Sequence, residues 1–235
     1  MKRKTQRNKC DKIWQDYIKE HKHEHKERDC PWCGEVKGDC NCEEEETTNK
    51  PKDTRKKKYQ IILADPPWNY PKTGGLKNSR GMAKQFYQTM SLEEICSLPI
   101  KGITDENCAL FLWTTYPQYH NALKVINEWG FDYFGLGFNW IKRTRLDKDH
   151  FGMGYWTRAN PEPCLLAFKG RLNPKDHSIR QLVYSPIRKH SKKPDIVRDK
   201  IVKLVGNLSR IELFARQRVP GWDVWGNEVE SDIDL

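Results

Sequence analysis

Asp65-Pro66-Pro67-Trp68 places a carboxylate, two rigid prolines and an indole directly after the strand-like run of residues 59–64. Proline cannot continue a strand ladder, so the strand must end here. A carboxylate at the carboxyl end of a buried strand lies where open α/β sheets bind their ligands. The carboxylate and the proline carbonyls can accept the protons of an exocyclic amine while the indole stacks on its ring. The alternative is a simple strand-terminating turn, in which Asp-Pro is common.

The elements that must position this motif are indicated by an alternation of strands and helices from residue 59 onward. Strands are predicted at 59–64, 108–114, 134–141, 164–168 and 211–214, and helices from Ser91, at 118–129 and at 194–205. Ser91 with Glu94 forms a capping box, and Gly206 follows the last helix. Strands that alternate with helices predict an α/β fold whose mostly parallel sheet is covered on both faces.

Parallel strands end at a common edge, so several polar segments are predicted to meet in one cleft. These are Asp65, the Thr114-Thr115 turn, Lys142 and the segment after Phe214. The sequence has no Gly-x-x-x-x-Gly-Lys phosphate loop, no Gly-x-Ser-x-Gly elbow, no His-Glu-x-x-His and no intact Gly-x-Gly-x-x-Gly. The common chemistries that depend on those motifs are therefore excluded.

Composition favours a polyanionic partner. The chain carries a net charge of +10, and aromatic residues make up 11% of it. From the charge alone, a basic protein that binds no polyanion is an equally good interpretation. Several aromatic residues, including Trp68, Tyr87 and Trp156, lie in glycine-, proline- or charge-rich stretches, where stacking on bases would use them. Nucleic acid is the partner that this combination favours.

Cellular location is predicted from hydropathy and cysteine usage. No apolar stretch is long enough to cross a bilayer, and the basic amino terminus lacks the hydrophobic segment of a secretory signal. We therefore expect an intracellular, cytoplasmic protein without membrane association. Its eight cysteines are then expected to be reduced thiols or metal ligands rather than disulfides.

Residues 1–57 are predicted to be a charged appendage to the main domain, 58–235. Cys30, Cys33, Cys40 and Cys42 could bind a tetrahedral zinc ion in a small knuckle. Their irregular spacing leaves a disordered thiol-bearing tail as a second interpretation, and a Cys-x-x-Cys redox function as a third.

Motifs spread in order over 59–228 resemble the MT-A70 family of adenine-N(6) methyltransferases. The matching blocks are Ala64-Asp65-Pro66-Pro67-Trp68, Tyr87-Gln88-Thr89-Met90-Ser91, Leu110-Phe111-Leu112-Trp113, Asn139-Trp140-Ile141-Lys142, Gly154-Tyr155-Trp156, Pro163-Cys164-Leu165-Leu166 with Lys169-Gly170, His190-Ser191-Lys192-Lys193-Pro194-Asp195, Ile211-Glu212-Leu213-Phe214-Ala215-Arg216, and Gly221-Trp222 with Trp225-Gly226-Asn227-Glu228. The resemblance implies a permuted Rossmann-like class I methyltransferase sheet that binds S-adenosylmethionine, with the acceptor motif early in the chain and the cofactor strand late.

By this resemblance, Asp65, Pro66, Pro67 and Trp68 form the catalytic motif. The Asp65 carboxylate and the Pro66 carbonyl accept hydrogen bonds from the target 6-amino group, and Trp68 lines the base pocket. In some family members the aspartate instead holds the amino group of the cofactor. Further contacts to the substrate are expected from Trp68, Tyr87, Lys142 and Trp156.

The resemblance also assigns the cofactor contacts. Lys193 matches the lysine that pairs with the cofactor carboxylate, and the Glu212 carboxylate is expected to accept from the ribose hydroxyls. Arg216, Asn227 and Glu228 match positions around ribose and adenine, and Asp65 is counted with the cofactor as well. Taken without the motif, Lys193 would be a solvated surface lysine and Asn227 a turn residue.

The family includes the catalytic subunit of the eukaryotic messenger-RNA adenosine methyltransferase, and this chain differs from that subunit in two ways. Its appendage replaces an acidic cofactor-contacting segment, and the segment 217–220 is short and lacks an asparagine at the ribose position. Compactness and the ending Gly-Trp-Asp-Val-Trp-Gly-Asn-Glu are more similar to bacterial or phage members. The expected reaction is methylation of adenine in DNA, with the base extruded. RNA methylation and an inactive nucleic-acid-binding partner are the alternatives, and either a homodimer or a heterodimer is compatible with the sequence.

Overall fold

A computed structural model of the protein describes residues 57–69, 89–152, 156–188 and 192–235. Lys57 apart, the predicted appendage lies outside the described residues, and so do its four candidate zinc ligands. Tyr87 lies outside them as well. In the part of the chain that the structure describes, no helix is both long and apolar enough to span a membrane.

Seven strands and three α-helices make up the described regular structure. The strands are β1 (Tyr59–Ala64), β2 (Thr104–Trp113), β3 (Asp132–Arg143), β4 (Glu162–Lys169), β5 (Leu182–Pro186), β6 (Arg210–Leu213) and β7 (Asp223–Trp225). The helices are α1 (Leu92–Ser97), α2 (Tyr119–Glu128) and α3 (Ile196–Val205), with short 3-10 turns at Ile100–Gly102 and Tyr116–Gln118.

The strands form one mostly parallel sheet in the order β5-β3-β4-β2-β1-β6-β7. β4 is antiparallel to both of its neighbours, β2 and β3, whereas the other strand pairs are parallel. The carboxyl ends of six strands and the amino end of β4 therefore share one edge, called the carboxyl edge below. The prediction of a mostly parallel α/β sheet is confirmed.

Each face of the sheet has its own hydrophobic core. Alternate residues of β2 illustrate the division, because Leu110 and Leu112 pack with α1 and α2, whereas Phe111 and Trp113 pack on the face that α3 covers. This alternation follows from the two-residue period of a strand. Helices cover both faces, as the sequence predicted.

Local signals located the helix ends well. The Ser91 hydroxyl accepts a hydrogen bond from the Glu94 backbone N–H. The Glu94 carboxylate accepts one from the Ser91 backbone N–H, as the capping box predicts. α3 ends at Gly206, whose positive φ of 97° suits glycine. β5 and β7 were not predicted, since β5 is an edge strand with one fully buried residue and β7 is three residues long.

Candidate active site

Hydrogen bonds fix the conformation of the Asp-Pro-Pro-Trp turn, and one of them joins the turn to β2. The Trp68 backbone N–H donates to the Pro66 carbonyl at 2.8 Å, and that of Met90 donates to the Pro67 carbonyl at 3.0 Å. The Trp68 indole donates to the Trp113 carbonyl at 3.1 Å. The Trp68 side chain is only 5% exposed and belongs to a hydrophobic core. Its clearest role in this structure is to anchor the turn, and little of its ring is available for stacking.

Gln118 holds the chain just beyond the motif. Its side-chain amide donates to the Asn69 carbonyl at 3.0 Å, and its own oxygen accepts from the Asn121 amide at 2.6 Å. Gln118 is 3% exposed, so both bonds are protected from water. Gln118 was not predicted as a site residue, although its position at the start of a helix that follows a strand end is the available signal.

Lys193 is the centre of a buried charge cluster at the carboxyl edge. Its ammonium lies 2.8 and 2.9 Å from the two Asp65 carboxylate oxygens and 2.8 Å from Glu162 Oε1. The other oxygen of Glu162 lies 2.8 Å from the Lys142 ammonium. The Lys193 side chain is 13% exposed, which excludes a solvated surface lysine. Three residues predicted for the site, Asp65, Lys142 and Lys193, are thus brought together, with Glu162 as their link.

Burial and ion pairing act in opposite directions on the pKa values of this cluster. Burial would lower the pKa of Lys193, but the carboxylates of Asp65 and Glu162 raise it well above its ordinary value. Burial would raise the pKa of Glu162, but the ammonium groups of Lys193 and Lys142 lower it below its ordinary value. Near neutral pH, Lys193 is therefore a cation and Glu162 an anion.

Glu162 was missed because of strand direction. The strand was predicted to begin at residue 164, and the prediction of a mostly parallel sheet did not identify which strand is antiparallel. β4 runs the other way and begins at Glu162, so its first residue meets the carboxyl ends of its neighbours. The sequence signal is a carboxylate between two prolines, Pro161 and Pro163, directly before an apolar run.

Lys142 is held in place from two sides. The Asn160 side chain accepts from the Lys142 backbone N–H at 3.0 Å and donates to its carbonyl at 3.0 Å. The Lys142 ammonium also lies 5.2 Å from the centre of the Trp140 ring, within the range of a cation–π contact. The Asn160 bonds fix the backbone at Lys142, and the Trp140 ring lies beside the ammonium that pairs with Glu162.

Glu212 faces α3 and forms a second buried ion pair. The two carboxylate oxygens of Glu212 accept from the Arg198 guanidinium at 2.7 and 2.8 Å, and Arg198 also donates to Asp195 at 2.8 Å. Burial raises the pKa of Glu212, and the nearby Arg198 opposes that rise only in part. Arg198 was not identified from the sequence, where it has the appearance of an ordinary helix arginine.

The loops after β6 and β7 lie side by side. The Ala215 N–H donates to the Trp225 carbonyl at 2.9 Å, and a Cβ at Gly226 would lie 2.4 Å from the Ala215 carbonyl oxygen, so only glycine permits this approach. Arg216 Nε lies 3.6 Å from Glu228 Oε1. Three of the predicted cofactor residues, Arg216, Asn227 and Glu228, therefore belong to adjacent loops, with Asn227 exposed in a turn.

The last two predicted substrate contacts are Tyr87, which lies outside the described residues, and Trp156. Trp156 is 93% exposed. Phe214, directly after β6, has a positive φ of 60°, an unusual conformation for a bulky residue and one that often marks functional sites. Within the described ranges, no group of three His, Cys, Asp or Glu side chains is arranged to hold a metal ion.

An open α/β sheet with charged acceptors at its carboxyl edge is consistent with a Rossmann-like methyltransferase. Residues 59–228 match the family model described as MT-A70, so the chain belongs to the MT-A70 family. It is 36% identical to the Type II methyltransferase M.MunI of Mycoplasma sp. over 75% of this chain and 80% of that protein.

Two human relatives are more distant. The N(6)-adenosine-methyltransferase catalytic subunit METTL3 is 26% identical over 74% of this chain, and the N(6)-adenine-specific methyltransferase METTL4 is 30% identical over 74% of it. The matched regions span only 29% and 38% of those two proteins. The common part is therefore the methyltransferase domain.

Proposed function

We propose that this protein transfers the methyl group of S-adenosylmethionine to the 6-amino group of adenine in DNA. The observation that carries the proposal is the Asp65 carboxylate at the end of β1, fixed by the buried Lys193 beside the locked Pro66 turn. Similarity to a Type II methyltransferase over 80% of its length supports DNA as the polymer. RNA is the second candidate, supported by the similarity to the N(6)-adenosine-methyltransferase METTL3.

Asp65 and Pro66 would act by orienting the target amine. The lone pair of an aminopurine nitrogen is delocalised into the ring, which makes the nitrogen a poor nucleophile. Acceptors that hold its protons out of the ring plane localise the lone pair for in-line attack, so positioning supplies most of the rate enhancement. The Pro66 carbonyl accepts one hydrogen bond from Trp68, which leaves one lone pair for the amine.

The proton released on methylation needs an acceptor other than Lys193. The pKa of Lys193 is raised by its two carboxylate partners, so the ammonium has no vacant lone pair at neutral pH. The Asp65 side chain is 23% exposed and gives the proton a route to solvent. Lys193 then acts by holding Asp65 rather than by acid–base exchange.

The residues present fit S-adenosylmethionine, which would supply a methyl group activated by a sulfonium. An ammonium has three protons, and two suffice for Asp65 and Glu162, so Lys193 retains one for the cofactor carboxylate. Each Glu212 oxygen accepts from Arg198 and retains a lone pair for a ribose hydroxyl. Arg216, Asn227 and Glu228 would complete the nucleoside contacts.

The proposal extends to the organisation of the chain. The acceptor motif follows β1, whereas Lys193 and Glu212 come more than a hundred residues later, which is the order of a permuted class I methyltransferase. We retain 58–235 as the methyltransferase domain and 1–57 as an appendage with a structural zinc at Cys30, Cys33, Cys40 and Cys42. The working environment that we propose is the cytoplasm of a bacterial or phage-infected cell.

Replacement of Asp65 tests the function. Asp65→Ala should lower methyl transfer by at least about 100-fold, as loss of one preorganised electrostatic partner does. The measurement uses labelled cofactor with matched DNA and RNA oligonucleotides, followed by nucleoside analysis. Asp132→Ala, at the exposed amino end of β3, is the matched control. Full activity of a folded Asp65→Ala protein would refute the mechanism, and label in RNA alone would exclude DNA.

A further inference from the structure

The outer edge of the sheet exposes apolar side chains that the proposed reaction does not use. Leu182 and Tyr184 of the edge strand β5 are 47% and 62% exposed, whereas Val183 between them is 3% exposed. Alternate residues of a strand face opposite sides. Val183 packs in the core that α3 covers, so Leu182 and Tyr184 share the opposite face. An exposed apolar patch of this kind indicates an interaction surface.

Tyr184 lies beside a cation of the neighbouring strand. The Arg143 guanidinium lies 6.0 Å from the centre of the Tyr184 ring. Arg143 is itself fixed by ion pairs with Asp149 and with Asp147, the latter at 3.0 Å. One side of the ring therefore lies against a fixed cation while much of the ring is open to solvent. An exposed aromatic ring beside a cation is suited to stacking with a planar group such as a base.

The charge around this ring indicates the chemistry of the partner. The hairpin 143–149, which approaches the ring through Arg143, and the residues flanking β5 carry five Lys or Arg residues and only two Asp residues: Arg143, Arg145, Lys148, Arg180 and Arg188, with Asp147 and Asp149. Phe151, two residues after this hairpin, is 66% exposed. Aromatic faces among excess cations are the pattern of surfaces that bind single-stranded nucleic acid, where bases stack and the cations follow the backbone.

A second copy of the chain is the alternative partner for this surface, because the exposed edge strand β5 could pair with the same strand of another molecule. Antiparallel pairing of two β5 strands about Tyr184 would place Arg180 of each copy opposite Arg188 of the other. Like charges directly opposite each other destabilise a strand pair. The same arginines favour a polyanion.

Strand spacing gives an approximate lateral separation between Tyr184 and Asp65. β5 is four strand positions from β1 in the sheet. At about 4.8 Å for each position, the separation is about 19 Å. A stacked strand advances about 3.4 Å for each nucleotide, so the separation corresponds to about five or six nucleotides.

We propose that Leu182, Tyr184 and the hairpin that follows Arg143 form an accessory stacking platform for the nucleic-acid strand, about five or six nucleotides from the target adenine. The proposal rests on the proposed function for the position of the adenine. The platform contacts neither the reacting nitrogen nor the cofactor. It therefore increases the affinity for long substrates and leaves the methyl-transfer step unchanged.

The experiment compares Tyr184→Ala with Phe134→Ala, a control at the other end of β3 that is 73% exposed. Fluorescence anisotropy measures Kd, and methyl transfer gives KM and kcat, for single-stranded oligonucleotides with about ten or about three nucleotides on each side of the adenine. Tyr184→Ala should raise Kd and KM for the long oligonucleotide about 5-fold or more, since stacking contributes about 1–3 kcal/mol per base. Its kcat and its constants for the short oligonucleotide should match those of the wild type, and Phe134→Ala should change none of them.

The other outcomes separate this proposal from the proposed function. An unchanged Kd for the long oligonucleotide would overturn the platform, even with full methyl transfer by the wild type. Tyr184-dependent binding without any methyl transfer would support the platform and refute the proposed function. A dimer in light scattering that Tyr184→Ala dissociates would identify a second copy as the occupant and overturn the proposal. Tyr184→Leu, which keeps apolar bulk but no ring, serves if Tyr184→Ala does not fold.

Discussion

Glu162 connects two lysines that lie far apart in the sequence. Its carboxylate accepts from both Lys142 and Lys193, and Lys193 in turn contacts Asp65. The four side chains alternate in sign, so each buried charge has an opposite neighbour. Burying ions costs several kcal/mol each, and only good geometry recovers that cost. The cluster therefore fixes the position of Asp65 more than it adds net stability.

Removing the Glu162 charge should destabilise the fold strongly. In Glu162→Gln two ammonium groups lose a shared counter-ion in a site where the side chain is 5% exposed. We expect a loss of about 3 kcal/mol or more, the range for breaking a buried ion pair. Chemical denaturation measures the free energy of unfolding.

The matched control for Glu162→Gln is Asp147→Asn. The Asp147 side chain is 85% exposed and pairs with Arg143, and asparagine tolerates the positive φ of 53° at this position. A surface pair contributes less than about 1 kcal/mol. Equal losses in the two variants would contradict the view that burial makes Glu162 critical.

The contribution of Glu162 should also depend on pH. Its pKa in the folded state lies below the ordinary 4.5, because two ammonium groups outweigh burial. The stabilisation is then fully present above about pH 5.5 and is lost as the pH falls through the lowered folded pKa. The difference in unfolding free energy between wild type and Glu162→Gln should be constant near neutrality and shrink below about pH 4.5. If the difference in unfolding free energy grew on acidification, the pKa of Glu162 would be raised rather than lowered in the folded state, and this prediction would be wrong.

Site residues differed in how far the sequence could reveal them. Asp65 and Lys142 were found because each follows an apolar run, and strand ends meet at one edge. Lys193 was found only through the motif resemblance. Glu162 and Arg198 were missed, because their roles depend on the direction of β4 and on which face of α3 meets β6. Those relations are tertiary and leave no periodic signal in the chain.

At the scale of elements, β7 illustrates how a short edge strand is protected. The Val224 carbonyl accepts from the Asp232 N–H at 2.8 Å, and the Val224 N–H donates to the Asp232 carboxylate at 2.8 Å. Arg218 holds the same carboxylate at 2.6 and 3.2 Å. The carboxyl-terminal segment therefore satisfies an edge that would otherwise be open to pairing.

Asp232→Ala should loosen β7. The variant loses the side-chain bond to Val224 and the ion pair with Arg218, and we expect a cost of about 1–2 kcal/mol from the hydrogen bonds. Hydrogen exchange at the Val224 amide measures the loss of protection. Asp234→Ala, at an exposed position two residues later, should leave that amide protected. Unchanged exchange in Asp232→Ala would show that β7 is protected by packing alone.

The more residues a strand buries, the better its position could be predicted from the sequence. β2 and β4 each contain a continuous apolar run and were located within a few residues. α1 was located by its capping box, a purely local signal. β5 and β7 were missed because a short edge strand buries few residues, and pairing with a neighbour rather than local preference determines its conformation.

At the scale of the whole molecule, all the proposed chemistry belongs to residues 58–235, whose core is divided over two faces of one sheet. The family model also begins at residue 59. A core of this size needs no metal to fold. Catalytic function and any metal site among Cys30, Cys33, Cys40 and Cys42 should therefore be separable.

Zinc removal tests this separation. Metal analysis of the full chain should find about one zinc per chain, and chelation should unfold at most about the first fifty residues, a size typical of zinc modules. Because Lys193 and Glu212 belong to the other part of the chain, cofactor affinity by calorimetry should be unchanged within error after chelation. The main unfolding transition should be unchanged as well. Cys30→Ser with Cys33→Ser should reproduce the chelated state, and loss of cofactor binding in either case would mean that the appendage completes the cofactor site.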